Sequence, residues 1–161
     1  MEKKEFAFSY EVYDSSEELS PEDAELLYMA RAVTSNAYAP YSHFRVGAAA
    51  KLSNGQFVTG TNQENASYPA GICAERVLLS TASSLYPGIA VETLAISYLN
   101  EQGSSSQPIS PCGICRQSLQ ELEQRTSRHI RLLLGGQTGK IFIIPKADLL
   151  LPFAFTSEEL Q

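Results

Sequence analysis

Apolar and polar positions along this chain follow two rhythms. Phe44 to Leu52 and Gln56 to Thr61 are short runs of apolar, small and β-branched residues, which predict strands. Ser53-Asn54-Gly55 between them predicts a hairpin, because Asn and Gly both tolerate positive φ. Upstream the spacing is helical: Leu26, Leu27, Ala30 and Val33 form one apolar stripe. Ser20 supplies its N-cap, Pro21 its first turn and Glu22-Asp23 the reciprocal acid. Asn36 to Tyr41, with Pro40, ends that helix. A second helix is predicted over Ile72 to Leu85 and a third from Cys112, where Cys115, Leu119 and Leu122 share a face. Val91 to Leu99, Ile130 to Leu134 and Lys140 to Ile144 predict strands, and Gly103 to Gln107 a Ser-rich loop. The alternation of Phe6 to Tyr13 predicts a short strand or an ordered arm, and Lys146 to Gln161 a short helix with an exposed end. The order α-β-β-α-β-α-β-β predicts helices packed on a sheet. With no repeat and no linker, the expectation is an arm over 1–19 and a single domain over 20–161.

Composition narrows the choice. The 161 residues are 43% hydrophobic and 19% charged, a globular balance large enough for a core. The net charge of −6 opposes polyanion binding, and the one cationic cluster is Arg125, Arg128 and Arg131, so no nucleic-acid partner is expected. The N-terminus is mixed in charge and lacks the apolar segment of a signal peptide, and no run is long enough to span a bilayer. Three cysteines cannot make a complete disulfide framework. These features predict a soluble, cytoplasmic, reduced protein without a membrane partner.

All three cysteines fall in two frames, Cys73-Ala74-Glu75-Arg76 and Pro111-Cys112-Gly113-Ile114-Cys115-Arg116. Cys112 and Cys115, three apart at a helix start, can chelate one ion together, with Cys73 as a third ligand from the other helix. Both helix N-termini favour the thiolate forms. Three protein ligands on Zn²⁺ leave an open fourth position, where a water can fall from a pKa of about 15.7 toward roughly 7. Glu75 shares its predicted face with Ile72, Leu78, Leu79 and Ala82. A carboxylate on a buried stripe is costly unless it has a task, and shuttling protons beside an activated water is one. Arg76 would offset the excess charge of three thiolates from just behind them.

These frames, together with Ala39-Pro40-Tyr41-Ser42-His43-Phe44-Arg45-Val46-Gly47-Ala48-Ala49 and Asn62-Gln63-Glu64-Asn65-Ala66-Ser67-Tyr68, resemble the small homotetrameric zinc-dependent cytidine deaminases over roughly Leu26 to Leu160. The resemblance implies an α/β three-layer sandwich with a mixed five-stranded sheet flanked by helices. It implies one zinc per chain on Cys73, Cys112 and Cys115, with Glu75 as the proton shuttle. Phe44 would stack on the pyrimidine, Asn62 and Glu64 would bind the ribose hydroxyls, and Ala74 would line the substrate. Ala66, Tyr68 and Phe155 would reach a neighbouring subunit's site, although Thr156 stands where the family usually has Gly. The implied reaction is hydrolytic deamination of cytidine and 2′-deoxycytidine in pyrimidine salvage. Asn62 and Glu64 at i and i+2 of a strand would share a face, which favours a substrate carrying ribose.

Two other readings compete. A zinc deaminase of a cytosine-nucleoside antibiotic such as blasticidin S would share the cysteine frames, and a non-catalytic zinc-stabilised module would share the ligands. Asn62 and Glu64 speak against the first, and Glu75 on a buried stripe against the second. His43 and His129 are expected in loop or surface positions, away from the metal.

Overall fold

A computed structural model of the protein describes residues 1–160. Its centre is one mixed sheet built from β1 (Glu11–Tyr13), β2 (Phe44–Leu52), β3 (Phe57–Thr61), β4 (Val91–Asn100), β5 (Arg131–Gly135) and β6 (Ile141–Ile144). The strand order is β1-β6-β5-β4-β2-β3, and every pairing is antiparallel except β4 with β5. The helices are α1 (Pro21–Val33), α2 (Ala74–Leu85) and α3 (Gly113–Thr126). The parallel β4–β5 step requires a crossover, and α3 provides it.

Two faces of one sheet carry two cores. Side chains alternate across a strand, so Leu94 and Ile96 of β4 and Leu132 and Leu134 of β5 join Leu78 of α2 and Leu119 of α3. Ala95 and Leu133, one residue out of phase, join Leu26, Leu27 and Ala30 of α1 on the opposite face. The central strands are therefore covered on both sides and read as nearly continuous apolar runs. The layers are α1, the sheet, and α2 with α3, which is the α/β three-layer arrangement expected.

The sheet has six strands rather than the expected five. The sixth comes from the arm: Glu11, Val12 and Tyr13 pair with Ile143, Phe142 and Ile141 of β6. A tripeptide so short carries too weak a pattern to be separated from an ordered coil by sequence alone. The predicted tail helix is instead two 3₁₀ turns, Ala147–Leu150 and Ser157–Leu160, and Gln161 lies outside the described residues. The β2–β3 hairpin also departs in detail. Gly55 alone takes positive φ, at 81°, with Gly55 N donating to Leu52 O and Leu52 N to Gln56 O. The left-handed residue thus follows a turn over Ser53 and Asn54.

Local signals hold where chemistry fixes them. Ser20 caps α1, its Oγ accepting from Asp23 N at 3.2 Å, with Pro21 in the first turn. Asp23 then takes a bidentate pair from Arg131, tying α1 to β5, and that guanidinium holds its carboxyl below the ordinary range. Gly60 lets α2 lie directly on β3: a Cβ there would stand 2.5 Å from both Ala74 O and Leu78 N.

Candidate active site

The site forms where the N-termini of α2 and α3 meet the end of β2. Cys73 and Cys112 are the N-cap residues of α2 and α3, so they precede their helices, whereas Cys115 lies in the first turn of α3. Neither cap sulfur is tied to its own helix by a capping hydrogen bond. The Sγ atoms of Cys73 and Cys112 are 3.7 Å apart and those of Cys112 and Cys115 3.4 Å apart, with all three mutually within 4.8 Å. A tetrahedral shell with Zn–S near 2.3 Å spaces its sulfurs by about 3.8 Å. The three thiols are therefore close to the spacing that one zinc ion requires.

The electrostatics of the cluster favour a thiolate. Hydrogen bonding from the Cys115 thiol, then from Cys112, with the charge of Arg76 behind, pulls Cys73 down to about 6 against its burial. The Cys115 thiol is raised, first by that same bond to Cys73 and then by its burial. Glu75 is 5% exposed, and burial pushes its carboxyl above the ordinary range, with the nearby Cys73 sulfur adding to the effect. Arg76 is half-buried one residue on.

A cavity of about 350 Å³ opens beside the thiols. Phe44, Asn62, Glu64, Tyr68, Cys73, Ala74, Glu75 and Cys112 all line it. Seven residues predicted from sequence for three different roles thus meet Cys112 in one space. Phe44 is braced from behind by Tyr98, stacked at 4.8 Å and 16°. Asn62 and Glu64 converge by a route other than the one expected. β3 ends at Thr61, and the Asn62 amide bridges β2, Nδ2 donating to Phe44 O at 2.9 Å and Oδ1 accepting from Val46 N at 2.7 Å. Glu64 Oε2 accepts from Tyr41 N and Ser42 N at 2.9 and 3.2 Å. Burial works against its charge, but the Ser42 side chain, these backbone bonds and the nearby His43 hold its carboxyl below the ordinary range. A second hollow of about 320 Å³, walled by Tyr41, Ser42, Glu64, Asn65, Tyr68 and Gly71, continues past Glu64.

Not every predicted residue reaches this space. Ala66 is exposed and outside the lining, and Phe155 is 60% exposed, its carbonyl accepting from Gln117 Nε2 at 2.8 Å. Ile72 lies ahead of α2 on the cavity wall rather than on the buried stripe. His129 lies with Glu123 and Asp148, away from the thiols. There the Glu123 carboxylate accepts from Ile130 N, Ala147 N and Asp148 N, joining α3 to β5 and the tail.

Sequence reasoning gave no role to Arg116, Ile109 or Ser110. Arg116 Nε donates to Pro111 O at 2.8 Å and Nη1 to Leu150 O at 3.0 Å, fixing the residue before Cys112 to the tail. Its position directly after Cys115 was the available signal. Ile109 and Ser110 complete the cavity wall from a loop with no periodic pattern.

The arrangement can hold a metal, seat a planar ring and keep an acid in reach of both. Similar proteins bear on it directly. Residues 20–129 match the family described as the cytidine and deoxycytidylate deaminase zinc-binding region. The chain is 38% identical over 125 residues to the cytidine deaminase of Halalkalibacterium halodurans, covering 78% of this chain and 87% of that protein. The crystal structure of cytidine deaminase from Burkholderia pseudomallei superposes with a TM-score of 0.71 at 35% identity, covering 85% of this chain and all of that one. That of Mycobacterium tuberculosis gives 0.64 at 29% identity, covering 85% and 99%. With its thiol triad, adjoining buried acid and matching fold, the chain belongs to the zinc-binding cytidine and deoxycytidylate deaminase family.

Proposed function

We propose that the protein hydrolyses cytidine and 2′-deoxycytidine to uridine and 2′-deoxyuridine, releasing ammonia, as a step of pyrimidine salvage in the cytoplasm. The observation that carries this reading is that the buried Glu75 lines the same cavity as Cys73, Cys112 and Phe44. Cys73, Cys112 and Cys115 would hold the zinc, with Arg76 moderating their charge. Bound there, zinc would activate a water for attack at C4 of the cytosine ring.

The side chains do the rest. Phe44, with Ala74 beneath, holds the pyrimidine plane against the thiol cluster. Glu75, its carboxyl raised above the ordinary range by burial, is suited both to take and to give a proton. It takes a proton from the attacking water and gives it to ring N3. It then takes the remaining proton of the added hydroxyl as C4–O becomes a carbonyl and delivers it to the exocyclic amine, which leaves as ammonia. Asn62 and Glu64 address the ribose hydroxyls, and a site built for hydroxyls rejects ligands lacking them. No Lys or Arg is among the described residues lining the two hollows, which favours a neutral nucleoside over its phosphate ester.

Residues 20–161 would form the catalytic unit, with 1–19 as an arm before it. The assembly would be a homotetramer with shared sites. Tyr68, 74% exposed at the cavity mouth, and the exposed Ala66 and Phe155 are the residues that would serve a neighbour. The test is incubation with cytidine, 2′-deoxycytidine, cytosine and cytidine monophosphate while the cytosine absorbance is followed. Both nucleosides should be converted and the base and monophosphate spared. Conversion of the free base at the same rate would refute the ribose contacts, and no conversion of either nucleoside would refute the activity.

A further inference from the structure

The loop between α1 and β2 walls the second hollow in a conformation that residues outside it hold in place. His43 sits at φ 55°, in the left-handed region that costs a side-chain-bearing residue energy. Such a conformation persists where its surroundings over-determine it. Glu101, just past β4, meets it twice: Glu101 N donates to His43 O at 3.0 Å, and Glu101 Oε2 lies 3.3 Å from His43 Nδ1. Arg45 Nε donates to the other carboxylate oxygen of Glu101. Arg45 Nη1 donates to Ala37 O at 2.9 Å and Ser35 O at 3.3 Å, at the start of the same loop. Both ends of the loop are thus fixed from behind by one ion pair. From the front, the loop's Tyr41 and Ser42 amides donate to Glu64, and both bonds fall on Oε2.

We propose that Glu101 and Arg45 are positioning residues that set affinity for ribose by holding the loop whose amides aim the Glu64 carboxylate. The loop amides occupy Oε2 and leave Oε1 for a sugar hydroxyl. Releasing the ion pair lets His43 relax, which misdirects the Tyr41 and Ser42 amides and, with them, Glu64. The thiol cluster and Glu75 are reached from other elements, so the chemical step is left intact. This inference rests on the ribose-binding role proposed for Glu64.

The experiment measures KM and kcat for cytidine and for 2′,3′-dideoxycytidine in the zinc-loaded enzyme. Parent, Glu101→Gln, Arg45→Lys, Glu64→Gln and the Glu101→Gln/Glu64→Gln pair are compared. Glu101→Gln should raise the cytidine KM about three- to tenfold with kcat within about twofold. Its KM for the dideoxy analogue, which lacks the hydroxyls, should match the parent. The double variant should match Glu64→Gln alone, because the ion pair acts only through that carboxylate. Arg45→Lys keeps the charge but loses the forked geometry, and it should shift KM in the same direction if Glu101→Gln fails to fold. Parent-like KM in the clamp variants beside a defective Glu64→Gln overturns this proposal alone. An equal rise for both substrates, or effects that multiply in the double variant, also overturns it. Parent-like KM in Glu64→Gln removes the ribose role and this inference together.

Discussion

Glu75 shows how one side chain can be read before its surroundings are known. Its helical phase placed it on an apolar stripe, and it is 5% exposed beside the Cys73 sulfur. Burial raises its pKa, the property that the proton-shuttling role proposed for it calls on. Glu75→Gln keeps size and polarity but cannot shuttle protons. Zinc content and thermal stability should stay at parent values while kcat falls by about 10²–10⁴, as measured by metal analysis and steady-state rates. An unchanged rate would move the proton shuttle elsewhere. Cys112 and Cys115 were legible as a pair because their spacing at a helix start is a local property, whereas Cys73 was marked by its own frame with Glu75 and joined to them only by the fold. Asn62 was legible as a residue of the site but not in its bonding. Its amide spans Phe44 and Val46 of β2, contacts across sixteen or more positions that no local pattern records.

At the scale of elements, the site depends on how α2 is seated. The helix carries Cys73 at its cap and Glu75 in its first turn, and it rests on β3 through Gly60. A methyl group at Gly60 would meet Ala74 O and Leu78 N at 2.5 Å, and both are backbone atoms that cannot rotate away. Gly60→Ala should therefore lift the helix, costing about 1–3 kcal/mol by denaturant unfolding. It should also loosen zinc, seen as faster loss to a chelator. Unfolding and chelator kinetics identical to the parent would mean that the close approach is not needed. The helices themselves were readable from the stripe and cap signals, with boundaries shifted by one or two residues. The reason α2 sits so near the sheet was not readable, because a single Gly in a strand has several explanations until its neighbour is known.

For the whole molecule, the arm is the part that sequence left open. β1 covers the edge of β6, and Tyr10 packs edge-on against Phe142 at 5.2 Å. Removing 1–13 would leave β6 as an unpaired edge with Phe142 uncovered. The truncated protein should lose roughly 3–8 °C in Tm and scatter more light, while keeping its zinc, since no arm residue lines the cavity. A truncation as stable and as soluble as the parent would make the sixth strand dispensable. Sequence by itself determined the α/β class and the element order, and it marked the three thiols and the acid that share the site. Each of these follows from periodicity or from spacing at one or other of two helix starts, where neighbours along the chain are also neighbours in space; that the two starts meet was decided by the fold. Tertiary structure alone decided that a stretch of arm becomes a sheet edge and that Arg116 ties the cysteine loop to the tail. It also decided that Glu101 grips a loop 58 positions away at His43. Such contacts depend on packing geometry across the sheet, which a one-dimensional pattern does not encode.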